Sequence, residues 1–182
     1  TMGQLSEGAI HLVECSEDVE KLELKNTDNV AYITQTTLSL DDTSAIINAL
    51  KDKYPSIKDP RKEDICYATT NRQNAVKELA KEVDLVLIIG SPNSSNSRRL
   101  VEVAQKNGCR SVLIQRASEI NWDLFEDVKN VGISAGASAP EILVEEVMQA
   151  VKSRFKTNVE NILTIEENVT FKVPAILSKD DD

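Results

Sequence analysis

The sequence predicts an α/β protein with open parallel sheets flanked by helices, and three observations lead to this fold class. The run LVLIIG, Leu85–Gly90, is apolar without interruption, which is typical of a strand buried on both faces of a parallel sheet. Two more short apolar runs, SVLIQ and NVGISAG, follow after segments long enough for a helix. From Asn71 onward, helical and strand patterns therefore alternate, and right-handed crossovers would join them into one open parallel sheet.

Before the first apolar run, the elements read in order as strand, helix, strand and helix. AYITQTTLSL, Ala31–Leu40, begins as a β-rich run. DDTSAIINALKDKYP is predicted to be a helix, because its first residues supply capping oxygens and its apolar residues share one face. Asp64–Tyr67 is predicted to be a short strand, and Asn71–Glu82 an amphipathic helix.

After the first apolar run, three helices are predicted. SNSRRLVEVAQKNG should end at its glycine as a C-cap, Ser118–Val128 is a weaker helical pattern, and APEILVEEVMQAVKSRF is a clear one. The residues from about 157 onward are expected to form a tail, with a strand-like run, NVTFKVP, and a frayed acidic end.

Composition limits the classes of partner. The chain has 182 residues and a formal net charge of −9, which argues against nucleic acid and anionic membrane surfaces as partners. No apolar run approaches the roughly 20 residues of a membrane span, and no signal peptide is recognisable. Three widely spaced cysteines make a disulfide framework unexpected, so a reducing, cytoplasmic setting is predicted. The first residue, Thr1, suggests an excerpt of a longer chain.

Three loops rich in Ser, Thr, Asn and Gly lie between a predicted strand and a helix. They are YATTNRQ, SPNSSNS and SAGASAP, which follow Cys66, Gly90 and Ile133. Ligands of open parallel sheets bind at this edge, and helix N-termini favour anions. Each loop alone could serve only to cap its helix, and Ser138 with Glu141 reads as a capping box. Together the loops predict a pocket for a phosphate-like group, held by hydroxyls and amides; no Walker or GxGxxG motif indicates a nucleotide.

The three cysteines and the single histidine are the candidate reactive side chains, and Cys66 among them has two interpretations. Cys66 could be a buried structural thiol, or a thiolate at a strand end that serves as nucleophile or metal ligand. Cys15 and Cys109 are interpreted as structural. His11 is the only histidine, which argues against a His-assisted catalytic triad. The cluster QTT, residues 35–37, either ends a strand or adds to the polar edge.

Four motifs, in order, carry a resemblance to a known family. They are YITQTTLSLDDT, DPRKEDICYATTNRQNAV, IIGSPNSSNSRRL and VGISAGASAPEILVEEV. They closely resemble the 4-hydroxy-3-methylbut-2-enyl diphosphate reductases, the iron–sulfur enzymes of the last step of the non-mevalonate isoprenoid pathway. The resemblance covers nearly the whole chain.

The resemblance implies roles for individual residues. In the family a 4Fe-4S cluster is held by three cysteines, and Cys66 matches the last of them. The positions that match the family's diphosphate-binding residues are Thr36, Ser94, Ser95, Asn96 and Ser138. The implied reaction removes an allylic hydroxyl as water, with two electrons and two protons, to give isopentenyl and dimethylallyl diphosphates. A ferredoxin- or flavodoxin-like carrier is the implied electron donor.

The same resemblance implies that part of the active site is missing. In the family the other two cluster cysteines, the diphosphate-binding histidines and a proton-donating glutamate precede the matched part. The chain therefore resembles the C-terminal part of a three-domain, cluster-centred architecture: residues 1–62 as the rest of the middle domain, 63–150 as the complete third domain, and 151–182 as a tail. Alone it is predicted to be inactive as a reductase. The alternatives are a half-subunit that needs a separate N-terminal chain, and a non-catalytic diphosphate-binding module.

Overall fold

A computed structural model describes residues 2–24, 26–62 and 64–162 of the chain. The predicted run NVTFKVP and the acidic end lie outside these residues. The helices are α1 (Ser16–Lys21), α2 (Leu40–Lys53), α3 (Tyr67–Glu82), α4 (Ser95–Lys106) and α5 (Glu141–Arg154), with short 3-10 helices at Met2–Gln4, Ala117–Glu119 and Trp122–Phe125. The strands are β1 (Leu85–Ile89), β2 (Arg110–Ile114) and β3 (Val131–Ala135).

The three strands form one parallel sheet, which confirms the predicted α/β class. Their order is β2-β1-β3, and the last residue of β1, Ile89, stands opposite Ile114 on one side and Ala135 on the other. All five residues of β1 are buried, as its continuous apolar run predicts. The apolar run in β2 predicts that Val112–Ile114 lie in a central, buried strand, and this is wrong for the part of the chain described: β2 lies at an edge of the sheet, where Val112 and Leu113 are only half-buried.

Helices cover both faces of the sheet. Alternate side chains of a strand point to opposite faces, and β1 divides its residues in this way. Val86 and Ile88 pack in one core with α3 and α4. Leu85, Leu87 and Ile89 pack in a second core with α5 and the segment after β2. The carboxyl ends of the strands are left open to the loops that follow them.

The residues before position 60 have a core of their own. Val19 on α1 packs with Leu50 and Tyr54 around α2, and the Tyr54 hydroxyl donates to a backbone carbonyl near the end of α1. This separate core is compatible with a boundary near residue 62, but the division at 62 and 150 stays a prediction. α5 extends to Arg154, past the second of these positions.

Two strand predictions before β1 are wrong. Ala31–Leu40 forms only one isolated bridge, from Ala31 to Lys58. Asp64–Tyr67 forms no strand, because Cys66 is the N-cap of α3. This helix begins four residues earlier than the predicted Asn71, since its first turn is polar and the apolar pattern starts only in the second turn.

Two local details after β1 also differ from prediction. Ser118–Val128 is not one helix: it holds two short 3-10 helices, and Asn121 accepts a hydrogen bond from the Asp123 amide in a local turn that competes with a longer helix. α4 ends as expected before Gly108, whose φ of 81° suits glycine. Among the helices described, none has the length and apolar content needed to cross a bilayer.

Candidate functional site

A cavity of about 460 Å³ opens at the carboxyl end of the sheet. Its lining residues are Thr36, Thr37, Cys66, Ala68, Thr69, Ser94, Ser95, Asn96, Ala137 and Ser138. All six residues singled out from the sequence are among them, so the prediction that they lie together is confirmed. The described lining contains hydroxyls, one carboxamide and one thiol, without a lysine or arginine. Such a lining can bind an anion through hydrogen bonds rather than through paired charges.

Cys66 enters the cavity as the N-cap of α3. Its carbonyl accepts the amides of Thr69 at 2.9 Å and Thr70 at 3.0 Å, while its thiol makes no capping hydrogen bond. Its own amide donates to the Thr36 carbonyl at 3.1 Å, which ties the loop of Thr36 to the start of the helix. The residue is exposed, so the structural-thiol interpretation, which requires burial, is wrong for the chain as described.

The second wall is the first turn of α4, held by a close contact with the sheet. Ser94 is the N-cap and accepts from the Ser97 amide at 3.2 Å. Ser97 is 1 % exposed and fits between two glycines: a Cβ on either Gly90 or Gly136 would lie 2.2 Å from its Oγ. Those glycines follow β1 and β3, so the missing Cβ atoms allow the helix to start against the sheet edge.

Asn96 is the clearest sign of a ligand. It is 7 % exposed, yet neither Nδ2 nor Oδ1 has a hydrogen-bond partner among the described residues. Buried polar atoms in folded proteins are nearly always paired, and an unpaired one costs about 1–3 kcal/mol. Asn96 lies in the first turn of α4, where free amides and the helix dipole favour an anion. A phosphate oxygen would accept from its Nδ2.

Ser138 forms the third wall on a turn between β3 and α5. The Ala139 amide donates to the Gly136 carbonyl at 3.0 Å, which places Ser138 at the turn. The predicted capping box is wrong: α5 is preceded by Pro140 as N-cap, without a side-chain cap. Because its hydroxyl is not used as a cap, Ser138 can donate into the cavity. Arg72, half-buried on α3, donates from Nε to the Ala135 carbonyl at 3.2 Å. Its guanidinium therefore lies next to the end of β3, where this turn begins.

The lining also contains Thr37 and Thr69, which belong to the polar clusters QTT and YATTNRQ but received no individual role from the sequence. Thr69 is 3 % exposed and lies three residues after Cys66, on the same face of α3. Because the helix begins at Tyr67 rather than at the predicted Asn71, Thr69 lies in its first turn and not in a loop.

The other two cysteines lie outside the cavity. Cys15 is exposed at the N-cap of α1, and a hydrogen bond with Glu17 raises the pKa of its thiol. Cys109 is buried, donates to the Val83 carbonyl at 3.3 Å, and has a thiol pKa raised chiefly by that burial. Across residues 2–24, 26–62 and 64–162, no three His, Cys, Asp or Glu side chains gather where they could hold a metal ion. Among the described residues that line the cavity, the thiol of Cys66 is thus the one sulfur ligand available to a metal centre there.

Comparisons with known proteins identify the family of the chain. The model of the LytB protein family matches residues 1–152. A 4-hydroxy-3-methylbut-2-enyl diphosphate reductase of Cereibacter sphaeroides is 60 % identical over 178 residues, which are 97 % of this chain and 56 % of the relative. In Rhodopseudomonas palustris, 4-hydroxy-3-methylbut-2-enyl diphosphate reductase 2 is 52 % identical over 99 % of this chain and 57 % of its own length.

A solved structure shows the same fold. The E-1-hydroxy-2-methyl-but-2-enyl-4-diphosphate reductase of Plasmodium falciparum superimposes with a TM-score of 0.85 at 32 % identity, over 92 % of this chain and 54 % of that one. The chain thus spans little more than half the length of the relatives it matches. From the family match and the identity to these relatives, the chain belongs to the LytB protein family.

Proposed function

We propose that these 182 residues are the C-terminal part of a 4-hydroxy-3-methylbut-2-enyl diphosphate reductase, and that the cavity binds the substrate's diphosphate. The observation that carries the proposal is Asn96, whose two buried carboxamide atoms, at a helix N-terminus, lack partners within the described part of the chain. Thr36, Ser94, Ser95 and Ser138 are proposed to donate hydroxyl hydrogen bonds to the same group.

The hydroxyl lining suits a diphosphate for a physical reason. Hydrogen bonds to charged oxygens are shorter and stronger than neutral ones, and serine and threonine hydroxyls rotate to meet oxygens in several positions. A diphosphate presents many acceptors and no donors when ionised, so it satisfies donors from several loops at once. The first turns of α3 and α4 add backbone amides and their dipoles.

Cys66 is proposed as one thiolate ligand of the 4Fe-4S cluster implied by the family. Its exposure at the cavity fits this role, because a metal ligand has to be reachable from the site that it serves. The described residues do not hold a cluster by themselves, since Cys66 is the single thiol that lines the cavity. The other ligands and the proton donor would come from residues outside this chain, so we expect the chain alone to be inactive.

Two further parts of the proposal concern the setting. A ferredoxin- or flavodoxin-like protein is proposed as the electron donor, and the cytoplasm as the location. The donor is implied by the family's reaction, and the location by the number and spacing of the cysteines. The net charge of −9 means that an acidic carrier would have to dock on a local basic surface.

A chimera tests the proposal. The 182 residues replace the matching part of the Cereibacter sphaeroides relative, and reductive dehydroxylation of the allylic diphosphate is measured. We expect turnover, its loss in the Cys66→Ser variant, and its retention in the matched Cys109→Ser variant, whose thiol lies outside the cavity.

Turnover that survives Cys66→Ser would overturn the ligand role of this cysteine. A chimera that binds pyrophosphate but does not turn over would support the alternative, a diphosphate-binding module without reductase activity. Turnover when the 182 residues are supplied as a separate chain beside the relative's N-terminal part would support the half-subunit.

A further inference from the structure

The most completely buried polar side chain at this edge of the sheet does not touch the cavity. Gln73 on α3 is 0 % exposed and is absent from the cavity lining. Its Oε1 accepts from the Leu40 amide at 3.0 Å, and its Nε2 donates to the Leu38 carbonyl at 2.8 Å. Both polar atoms are therefore paired, and both partners belong to one short segment.

The bonds resemble those of a missing strand. A carbonyl and an amide two residues apart, on either side of Ser39, are the groups that a parallel neighbour engages in a sheet. The segment that holds them forms no ladder in the described chain, and Ser39 begins α2 by accepting from the Asp42 amide. The Gln73 carboxamide replaces a neighbouring strand and fixes the backbone there.

The same segment carries Thr36, two residues before Leu38. Two more hydrogen bonds join the backbone around Thr36 to the residues at and just before the start of α3. The Cys66 amide donates to the Thr36 carbonyl, and the Thr34 amide donates to the Asp64 carboxylate at 2.8 Å. Thr36 is itself exposed, so its hydroxyl has no packing of its own to hold it in place. Its distance from Cys66 therefore depends on how firmly the segment is held on both sides.

We propose that Gln73 is a positioning residue for diphosphate binding: it holds the segment 36–40 against α3, so that the Thr36 hydroxyl faces the same ligand as Cys66. This inference rests on the proposed function. Gln73 touches no ligand and acts through Thr36. α3 then places two of the lining residues: Cys66 directly, at the start of the helix, and Thr36 indirectly, through Gln73 two turns further along.

A double-mutant cycle in the 182-residue chain tests the proposal, with pyrophosphate affinity measured by titration calorimetry. Thr36→Val should weaken binding about tenfold, the loss expected for one hydrogen bond to a charged group. Gln73→Leu should weaken it by about as much. The double variant should be no weaker than Gln73→Leu alone, because residues that act through one another are not additive. Gln73→Met keeps the length of the side chain without its two hydrogen bonds and should weaken binding as Gln73→Leu does.

The matched control is Gln105 on α4, whose Nε2 donates to the Ser111 carbonyl at 3.3 Å, away from the cavity. Gln105→Leu should leave the affinity unchanged and leave the full tenfold effect of Thr36→Val. A Thr36→Val effect that persists undiminished beside Gln73→Leu, or beside Gln73→Met if the leucine variant does not fold, would overturn the positioning role. Absence of pyrophosphate binding by the unmutated chain would instead overturn the proposed function.

Discussion

Replacing Asn96 with alanine should stabilise the ligand-free protein, although the residue is buried. In most proteins, removal of a buried asparagine breaks hydrogen bonds and destabilises the fold. Here both carboxamide atoms are buried and have no partner in residues 2–24, 26–62 and 64–162, and each such atom carries a desolvation penalty of about 1–3 kcal/mol. Alanine also has a better helix propensity than asparagine, by roughly half a kcal/mol. After allowance for lost packing, we expect a gain of about 1–2 kcal/mol in the free energy of unfolding.

The assay is urea unfolding with and without pyrophosphate. At a ligand concentration of 100 Kd, the unmutated chain should gain about 2.7 kcal/mol. If the variant binds tenfold more weakly, it should gain only about 1.4 kcal/mol at the same concentration. The variant should therefore be more stable when empty and should respond less to ligand.

Asn107 is the matched control, because it is an asparagine at the other end of the same helix with a paired side chain. Its Nδ2 donates to the Val103 carbonyl at 2.8 Å. Asn107→Ala should destabilise the chain by about 0.5–1.5 kcal/mol and should not change the response to pyrophosphate. If Asn96→Ala destabilised the chain as much as this control does, Asn96 would have partners, and the case for a ligand there would be refuted.

Three other measurements follow from contacts away from the ligand. Gly136→Ala should lower stability by about 1–3 kcal/mol, because its Cβ would lie 2.2 Å from Ser97 Oγ; urea unfolding that showed no loss would contradict the close approach. Two backbone amides in the loop before β3 donate to Asp84 and lower the pKa of its carboxyl. The stability from this group is present at neutral pH and lost as pH falls through the lowered pKa. The free energy of unfolding of Asp84→Asn should therefore fall less steeply with decreasing pH than that of the unmutated chain; an equally steep fall would contradict the role of Asp84. Burial, and then the hydrogen bond donated to Asp59, raise the pKa of Tyr32 to about 12. Absorbance titration should therefore show an ionisation near pH 12 that disappears in the Tyr32→Phe variant, and its absence from the unmutated chain would refute this. The stability contribution of Tyr32 should be full below about pH 10 and lost as pH rises towards 12.

The sheet could be predicted from sequence because its signal is local. LVLIIG is apolar at every position, and β1 is buried on both faces. The one pattern therefore predicts both that the segment is a strand and that this strand lies inside the protein. β2 could not be placed in the same way. Its sequence resembles that of β1, but whether a strand lies at the edge or the centre of a sheet depends on which strands pair, and a short apolar run does not determine the pairing. Ser118–Val128 failed for another reason, since local turns capped by Asn121 compete with a weak helical pattern.

The site was predictable at the level of loops and less so at the level of atoms. Ser94 and Ser138 lie in polar loops at strand ends, and strand ends of a parallel sheet meet at one edge. Thr69 belongs to one of these loops, but its place on the same helical face as Cys66 could not be predicted, because the first turn of α3 does not show helical periodicity. The role of Gln73 could not be read from sequence either, because its partners lie more than thirty residues away.

The central claim is that a diphosphate and the thiol of Cys66 share one cavity, and the alkylation rate of that thiol tests it most directly. In a Cys15→Ser background, Cys66 is the exposed thiol and Cys109 stays buried. Peptide mass spectrometry then follows the reaction of Cys66 with iodoacetamide as pyrophosphate is added. We predict saturable protection by pyrophosphate, and its loss in the Asn96→Ala variant. An alkylation rate that pyrophosphate leaves unchanged, at concentrations where calorimetry shows binding, would place the anion elsewhere and contradict the account.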